Sequence, residues 1–401
     1  MTATPTPSHL LRTHLASVNC VSFSPDNERL YSADASGNVV VTSTRSFRPI
    51  AQWRAHTDSI LGVEEWEGQV ITHGRDNKLH VWTSTTADSD ARVGDSATAS
   101  EMCTPTLSYS MDVNALNYCR FSLMPLPPQE PEVIGARALI AVPNLVESHL
   151  ADIWELPSRD RMHAAIGKAS MPELTDGRGI NPIGIIMSMH LFEAQHANTS
   201  GQTQLRLLCS YENGGVMLYG YSNRDKVKSV EGLGWELLWN AKLHVESVMA
   251  MAVSRDKCLA LTVSADHLIG RYDLEVCKSC NSSNVQKTCI VHRTKYPGNA
   301  SIAIRDDGRV CAIGGWDGKV RLFSTKTLKP LGTLGYHKKS AQAVSFARSF
   351  GTEIVENAPT DVEDSEDEMS EAEKAERRRW LAVGSQDSRV SLWSLISFDK
   401  K

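Results

Sequence analysis

The ten residues "GGWDGKVRLF", Gly314 to Phe323, recur along the chain in altered form, and that recurrence limits the fold more than any other feature. An Asp-Gly step beside alternating apolar residues marks a tight turn between two strands. The same plan stands in "THGRDNKLHVW" (Thr72–Trp82) and "VGSQDSRVSLW" (Val383–Trp393). In each, an Asp precedes an aromatic by six residues: Asp76 and Trp82, Asp317 and Phe323, Asp387 and Trp393. Asp266 and Tyr272 keep that spacing. Three weaker copies pair Asn213 with Tyr219, Ser148 with Trp154 and Ser36 with Thr42, which makes seven units.

Each unit has an upstream partner strand, often headed by a histidine: His14, His56, His244 and His337. Strand-turn-strand content at a period of about 40 residues or more, with His, Asp and Trp landmarks, is the signature of a β-propeller. One four-stranded blade cannot bury its faces alone, whereas seven arranged radially bury each face against a neighbour. The expected fold is therefore all-β, a single seven-bladed propeller over residues 1–401. "HLLRTH", before the first blade, reads as an outer strand without a blade of its own. Pairing Leu10–Arg12 with the strand around Val390–Trp393 would close the ring and remove an open edge.

The landmark residues predict hydrogen-bonded chains inside the blades. In blade two, Asp76 accepts from His56, His56 reaches Thr72, and Thr72 meets the Trp82 indole N–H. Blade five repeats the set with His244, Thr262, Asp266 and Tyr272. Blade seven keeps His337, Asp387 and Trp393 but has Val383 where the hydroxyl belongs, which predicts a broken chain. His, Asp and a hydroxyl also compose a catalytic set. A catalytic site is singular, whereas these residues recur blade by blade within the sheets, so they read as scaffold.

Residues 83–110 form a polar Ser/Thr/Ala/Asp excursion, and "MPLPPQEPEV", "EAQHANTSGQTQ" and "YSNRDKVKSVEGLG" interrupt blades three and four. The largest insertion, residues 352–379, lies within blade seven and reads as an acidic disordered loop. It carries eleven acidic residues between Glu353 and Glu376. All five insertions join first to second or third to fourth strands, which places them on one rim and marks that rim as a binding surface. Ser365 and Ser370 each have a Glu three residues on, the pattern of an acid-directed kinase target. Cys277, Cys280, Cys289 and His292 have zinc-ligand spacing, but Cys289 falls where an outer strand belongs, and no metal or cofactor is expected.

Composition excludes several classes. A net charge of −5 argues against a general grip on nucleic acid. No apolar run approaches the roughly 20 residues of a membrane helix. The first residues carry no apolar core of signal-peptide length, so the nine cysteines read as reduced thiols of a nuclear or cytoplasmic protein.

The stretches "HLASVNCVSFSPD", "ITHGRDNKLHVW", "LADIWELPSRDR", "GGWDGKVRLF" and "LAVGSQDSRVSLW" resemble WD-repeat proteins. More closely, the chain is similar to the fungal ASTRA-associated protein 1 family, relatives of G-protein β-subunit-like proteins. That resemblance implies a non-catalytic scaffold subunit of a nuclear complex linked to chromatin remodelling. Its implied partners are helical-repeat cochaperones, AAA+ helicase-type ATPases and a phosphatidylinositol-3-kinase-like protein. The alternatives are a reader of histone or phosphorylated peptides and a substrate receptor of a ubiquitin ligase. An enzyme is not expected.

Overall fold

The computed structural model describes residues 5–83, 104–114, 116–127, 136–170, 183–195, 203–223, 226–274, 289–349 and 370–396. These form seven four-stranded antiparallel sheets. Blade two comprises Ile60–Trp66, Gln69–Gly74, Lys78–Thr83 and Thr106–Asp112, hydrogen-bonded in that order. The other blades repeat the plan, and the first strands of most neighbouring blades touch around a common axis. A seven-bladed propeller results.

Alternation along each strand makes both faces of a blade apolar, and both faces are used. Among the described residues, seven hydrophobic clusters each lie between two adjacent blades. One joins Leu139, Ile153 and Met162 of blade three to Leu191, Leu207 and Trp235 of blade four. Another joins Val18, Val21 and Leu30 of blade one to Ala382, Val390 and Leu392 of blade seven. Each fully buried aliphatic side chain contributes about 1.5–3 kcal/mol relative to exposure. The core is thus a ring of interfaces rather than one central mass.

His9–Leu11 closes the ring as the outer strand of blade seven. His9 pairs with Leu392, Leu10 with Ser391 and Leu11 with Val390. The strand sits one residue earlier than the Leu10–Arg12 expectation, because Leu11 is the residue that inserts into the cluster between blades seven and one.

Three further differences from the sequence reading have physical causes. Residues 83–110 are not wholly an excursion, since Thr106–Asp112 is the outer strand of blade two, with Tyr109 opposite Val81 and Met111 opposite Leu79. Its Ser and Thr content conceals the two-residue alternation of Leu107, Tyr109 and Met111. The extension of blade four folds back on blade three. Ser229 forms a parallel bridge with His163, and the Ala164 and Gly232 N–H groups bond across the same seam. It thereby covers the edge of blade three's outer strand, Asp160–Ile166. Finally, Glu371–Arg377, within the region read as disordered, is a helix opened by a capping box between Ser370 and Glu373. Residues 352–369 lie outside the described residues.

Gly318 explains part of the opening stretch. Its φ of +76° is left-handed, and a Cβ there would overlap the His337 carbonyl oxygen of the next connection. The turn in blade six therefore packs directly on the entry to blade seven.

Candidate functional site

The chains in blades two and five connect the residues singled out from the sequence. His56 Nδ1 lies 2.9 Å from Asp76 Oδ1, and Nε2 lies 2.8 Å from Thr72 Oγ1. Trp82 Nε1 donates to the same hydroxyl oxygen at 2.9 Å. In blade five, His244 meets Asp266 at 3.1 Å and Thr262 at 2.8 Å, with Tyr272 3.4 Å beyond. Burial holds His56 and His244 below the ordinary imidazole range, against the opposing pull of their aspartates. A neutral imidazole with its proton on Nδ1 then donates to the carboxylate and accepts from the hydroxyl, so each member is satisfied. Gly74 makes room for this contact, since a Cβ there would overlap the His56 ring.

Blade seven corrects the expectation of a broken chain. His337 Nδ1 lies 3.1 Å from Asp387, and Nε2 lies 2.8 Å from Ser391 Oγ, which also accepts from Trp393 Nε1 at 2.8 Å. Ser391 pairs with Val383 across the sheet, so the neighbouring strand supplies the hydroxyl. Blade one holds a fourth chain that the repeat frame missed. His14 bonds Asp34 at 2.9 Å and Ser32 at 2.8 Å. The acid sits two residues ahead of Ser36, the position the frame assigned to it, and receives the Ser36 N–H.

Blades three, four and six use other chemistry. Asp152 accepts from Asn144 and from the Ala165 N–H. In blade four, the Tyr211 and Tyr219 hydroxyls meet at 3.2 Å. Asp317 is gripped by Arg321 at 2.5 and 3.2 Å, and the same guanidinium lies 3.9 Å over Tyr296.

Asp34–His14–Ser32 and Asp387–His337–Ser391 have the connectivity of a hydrolase triad. Ser32 is 1% exposed and Ser391 is fully buried, so neither hydroxyl can meet a substrate. His56, Asp76 and His80 place ligand-type atoms within 4.8 Å of one another. Both nitrogens of His56 are already bonded within the chain, so a metal there would have to break it. For the zinc spacing, Cys277 and Cys280 lie outside the described residues. Cys289 and His292 stand three apart on the outer strand of blade five, paired with Tyr272 and Ile269. That spacing points them to opposite faces of the sheet: Cys289 packs toward blade four, His292 toward Phe323 of blade six. Ser365 is outside the described residues, and Ser370 is the exposed helix cap.

The connections fall into two sets, because successive strands are antiparallel. First-to-second and third-to-outer loops leave one end of the ring; second-to-third turns and blade-to-blade links leave the other. The five insertions belong to the first end. The second end carries exposed apolar side chains: Leu15, Leu116, Tyr118, Leu145, Val146, Val245 and Trp316, with Leu15 at 98% and Val146 at 85%. Asn114 joins the Leu116 loop to the Leu145 loop through Asn144 O and Ser148 Oγ. Arg75 lies 4.5 Å over the Tyr118 ring. Attention to insertions missed this face; the legible signal was a large apolar residue inside a short polar turn, as in "NLVES", "LHVES" and "GGWDG".

The family model for the WD domain, G-beta repeat, matches residues 5–43. The chain is 32% identical to ASTRA-associated protein 1 of Verticillium alfalfae, over 99% of this chain and 94% of that protein. It is 29% identical to the protein of that name from Aspergillus niger over 97% of both chains. For Schizosaccharomyces pombe the identity is 27%, over 98% of this chain and 99% of the other. With near end-to-end matches on a ring of WD-type blades, the chain belongs to the ASTRA-associated protein 1 family of WD-repeat proteins.

Proposed function

We propose that the protein is a non-catalytic scaffold subunit of the ASTRA complex, working in the nucleus in chromatin remodelling and in assembly of phosphatidylinositol-3-kinase-like proteins. The relatives' name supports membership of that complex. The observation that carries the scaffold reading is the face bearing Leu116, Tyr118, Leu145 and Val146, set on rigid blades and open to a partner. The triad-like chains support a role without catalysis, because their hydroxyls are sealed inside the sheets. Helical-repeat cochaperones and AAA+ helicase-type ATPases are the partners this reading expects, since amphipathic helices present apolar stripes that fit such a face.

Affinity purification of the tagged chain tests it. Wild type should recover those subunits, and Tyr118→Ser with Val146→Glu should lose at least one while melting normally. Recovery of histones or ubiquitin-ligase subunits alone would overturn the reading.

A further inference from the structure

On the insertion face, the chain leaving blade seven is fastened by side chains of three other blades. Arg348 exchanges two bonds with Asn27 of blade one, at 2.7 and 2.8 Å. The Ser349 N–H donates to Asp306 of blade six at 2.8 Å, and its carbonyl accepts from Arg255 of blade five at 2.9 Å. Blade five does not adjoin blade seven, so the strap runs inward at the mouth of the central channel. Beside it, a shallow groove of about 330 Å³ opens between blades three and four. Its floor is apolar, from Leu123, Met124, Leu126, Leu191 and Phe192, and Lys257 of blade five stands at its end.

The charges around this mouth are nearly all engaged. Glu64 takes Arg120 at 3.0 Å and Arg348 at 3.9 Å, Asp306 takes Arg255 at 3.3 Å, and Asp256 takes the Ser254 hydroxyl and the Cys258 N–H. The Lys257 backbone N–H closes its own turn onto Ser254 O at 2.9 Å, but its ammonium has no hydrogen bond or ion pair to any described residue. Burial and the nearby Arg348 and Arg255 hold its amine below the ordinary lysine range. Glu193 on the opposite wall is exposed, where solvent screens its charge.

We propose that this groove docks a linear partner peptide in which a large apolar side chain stands next to carboxylates. The apolar side chain packs on the partly buried Met124 and Leu126, and a carboxylate meets Lys257. Charge complementarity at Lys257 selects the acidic flank, and the floor selects its apolar neighbour. This deepens the scaffold reading by assigning the chemistry of one partner; the opposite, apolar face remains available to another.

The test uses the full-length chain and a fluorescein-labelled synthetic peptide, Glu-Asp-Glu-Leu-Phe-Asp-Glu-Asp, read by anisotropy. Saturable binding is expected, weakened about tenfold or more by Lys257→Glu and by Leu126→Asp, each checked for an unchanged melting temperature. A version with Leu and Phe replaced by Ser should not bind. Binding indifferent to Lys257→Glu would overturn the proposal, as would no binding by a chain that still recovers its complex. Binding only after deletion of residues 352–369 would also overturn it, because the groove would then belong to the chain's own acidic stretch. Failure to recover the complex with peptide binding intact would sink the scaffold reading alone.

Discussion

Ser391 Oγ lies 2.8 Å from His337 Nε2, on the strand next to the one where the repeat places its hydroxyl. A buried network tolerates a change of supplier but not an empty seat, because an unpaired polar group in a dry interior costs its full desolvation. Val383 fills the vacated position and packs in the cluster between blades six and seven.

Removing that hydroxyl should therefore weaken the ring. Ser391→Ala leaves His337 Nε2 and Trp393 Nε1 without their partner and should cost about 1–3 kcal/mol by urea denaturation. Asp76→Ala in blade two should behave alike, with partner capture falling only in proportion to unfolding. Unchanged stability with loss of one specific activity would instead revive a catalytic role.

Acid should destabilise the protein through its histidines. Burial keeps His56, His244 and His337 below the ordinary range, and drives His73 to about 3 and His163 and His190 to about 4. A depressed imidazole binds protons more weakly folded than unfolded, so stability is present above about pH 6.5 and is lost as pH falls toward the folded values. The melting temperature should hold between pH 7 and 8 and decline steadily below pH 6.5. Neither ring nitrogen of His73 has a partner among the described residues. His73→Leu should flatten the decline and raise stability at pH 7 by about 1 kcal/mol. Identical pH profiles in variant and wild type would remove His73 from this account.

The closing strand should be indispensable. Deleting residues 1–13 removes the strand His9–Leu11, bares the edge of Val390–Ser394, and takes Leu11 out of a cluster it shares with Val18 and Val390. The truncated chain should melt well below wild type and tend to associate through the open edge. A coincident melting curve would show that closure is achieved without this strand.

Gly318→Ala tests the seam between blades six and seven. The left-handed backbone alone costs a Cβ-bearing residue about 1–2 kcal/mol, and the overlap with the His337 carbonyl adds to it. Substitution at Gly308, also left-handed but with open space around it, should incur only the first cost. Equal losses at both positions would mean that the seam contributes nothing.

Repeat number, ring closure and the two regular chains of blades two and five were legible because they depend on local spacing. An Asp-Gly turn, a two-residue alternation and a fixed Asp-to-aromatic interval are written within one blade. The outer strand Thr106–Asp112 was hidden by Ser and Thr, whose polarity suits a loop as readily as a solvent-facing strand. Ser391 could not be chosen from spacing, because cross-strand register decides which hydroxyl a buried imidazole reaches, whereas Asp34 stands 20 residues after His14, as Asp76 does after His56, an interval that the Asp-to-aromatic frame passed over. The same holds at the channel mouth. Asn27 and Arg348 are 321 residues apart, and Ser349 and Arg255 are 94 apart, yet each pair is held within hydrogen-bond distance. Sequence by itself determined the blade and its count, because those follow from local periodicity. Only the closed ring decided which side chains meet around its axis, because that depends on the packing of one blade against the next.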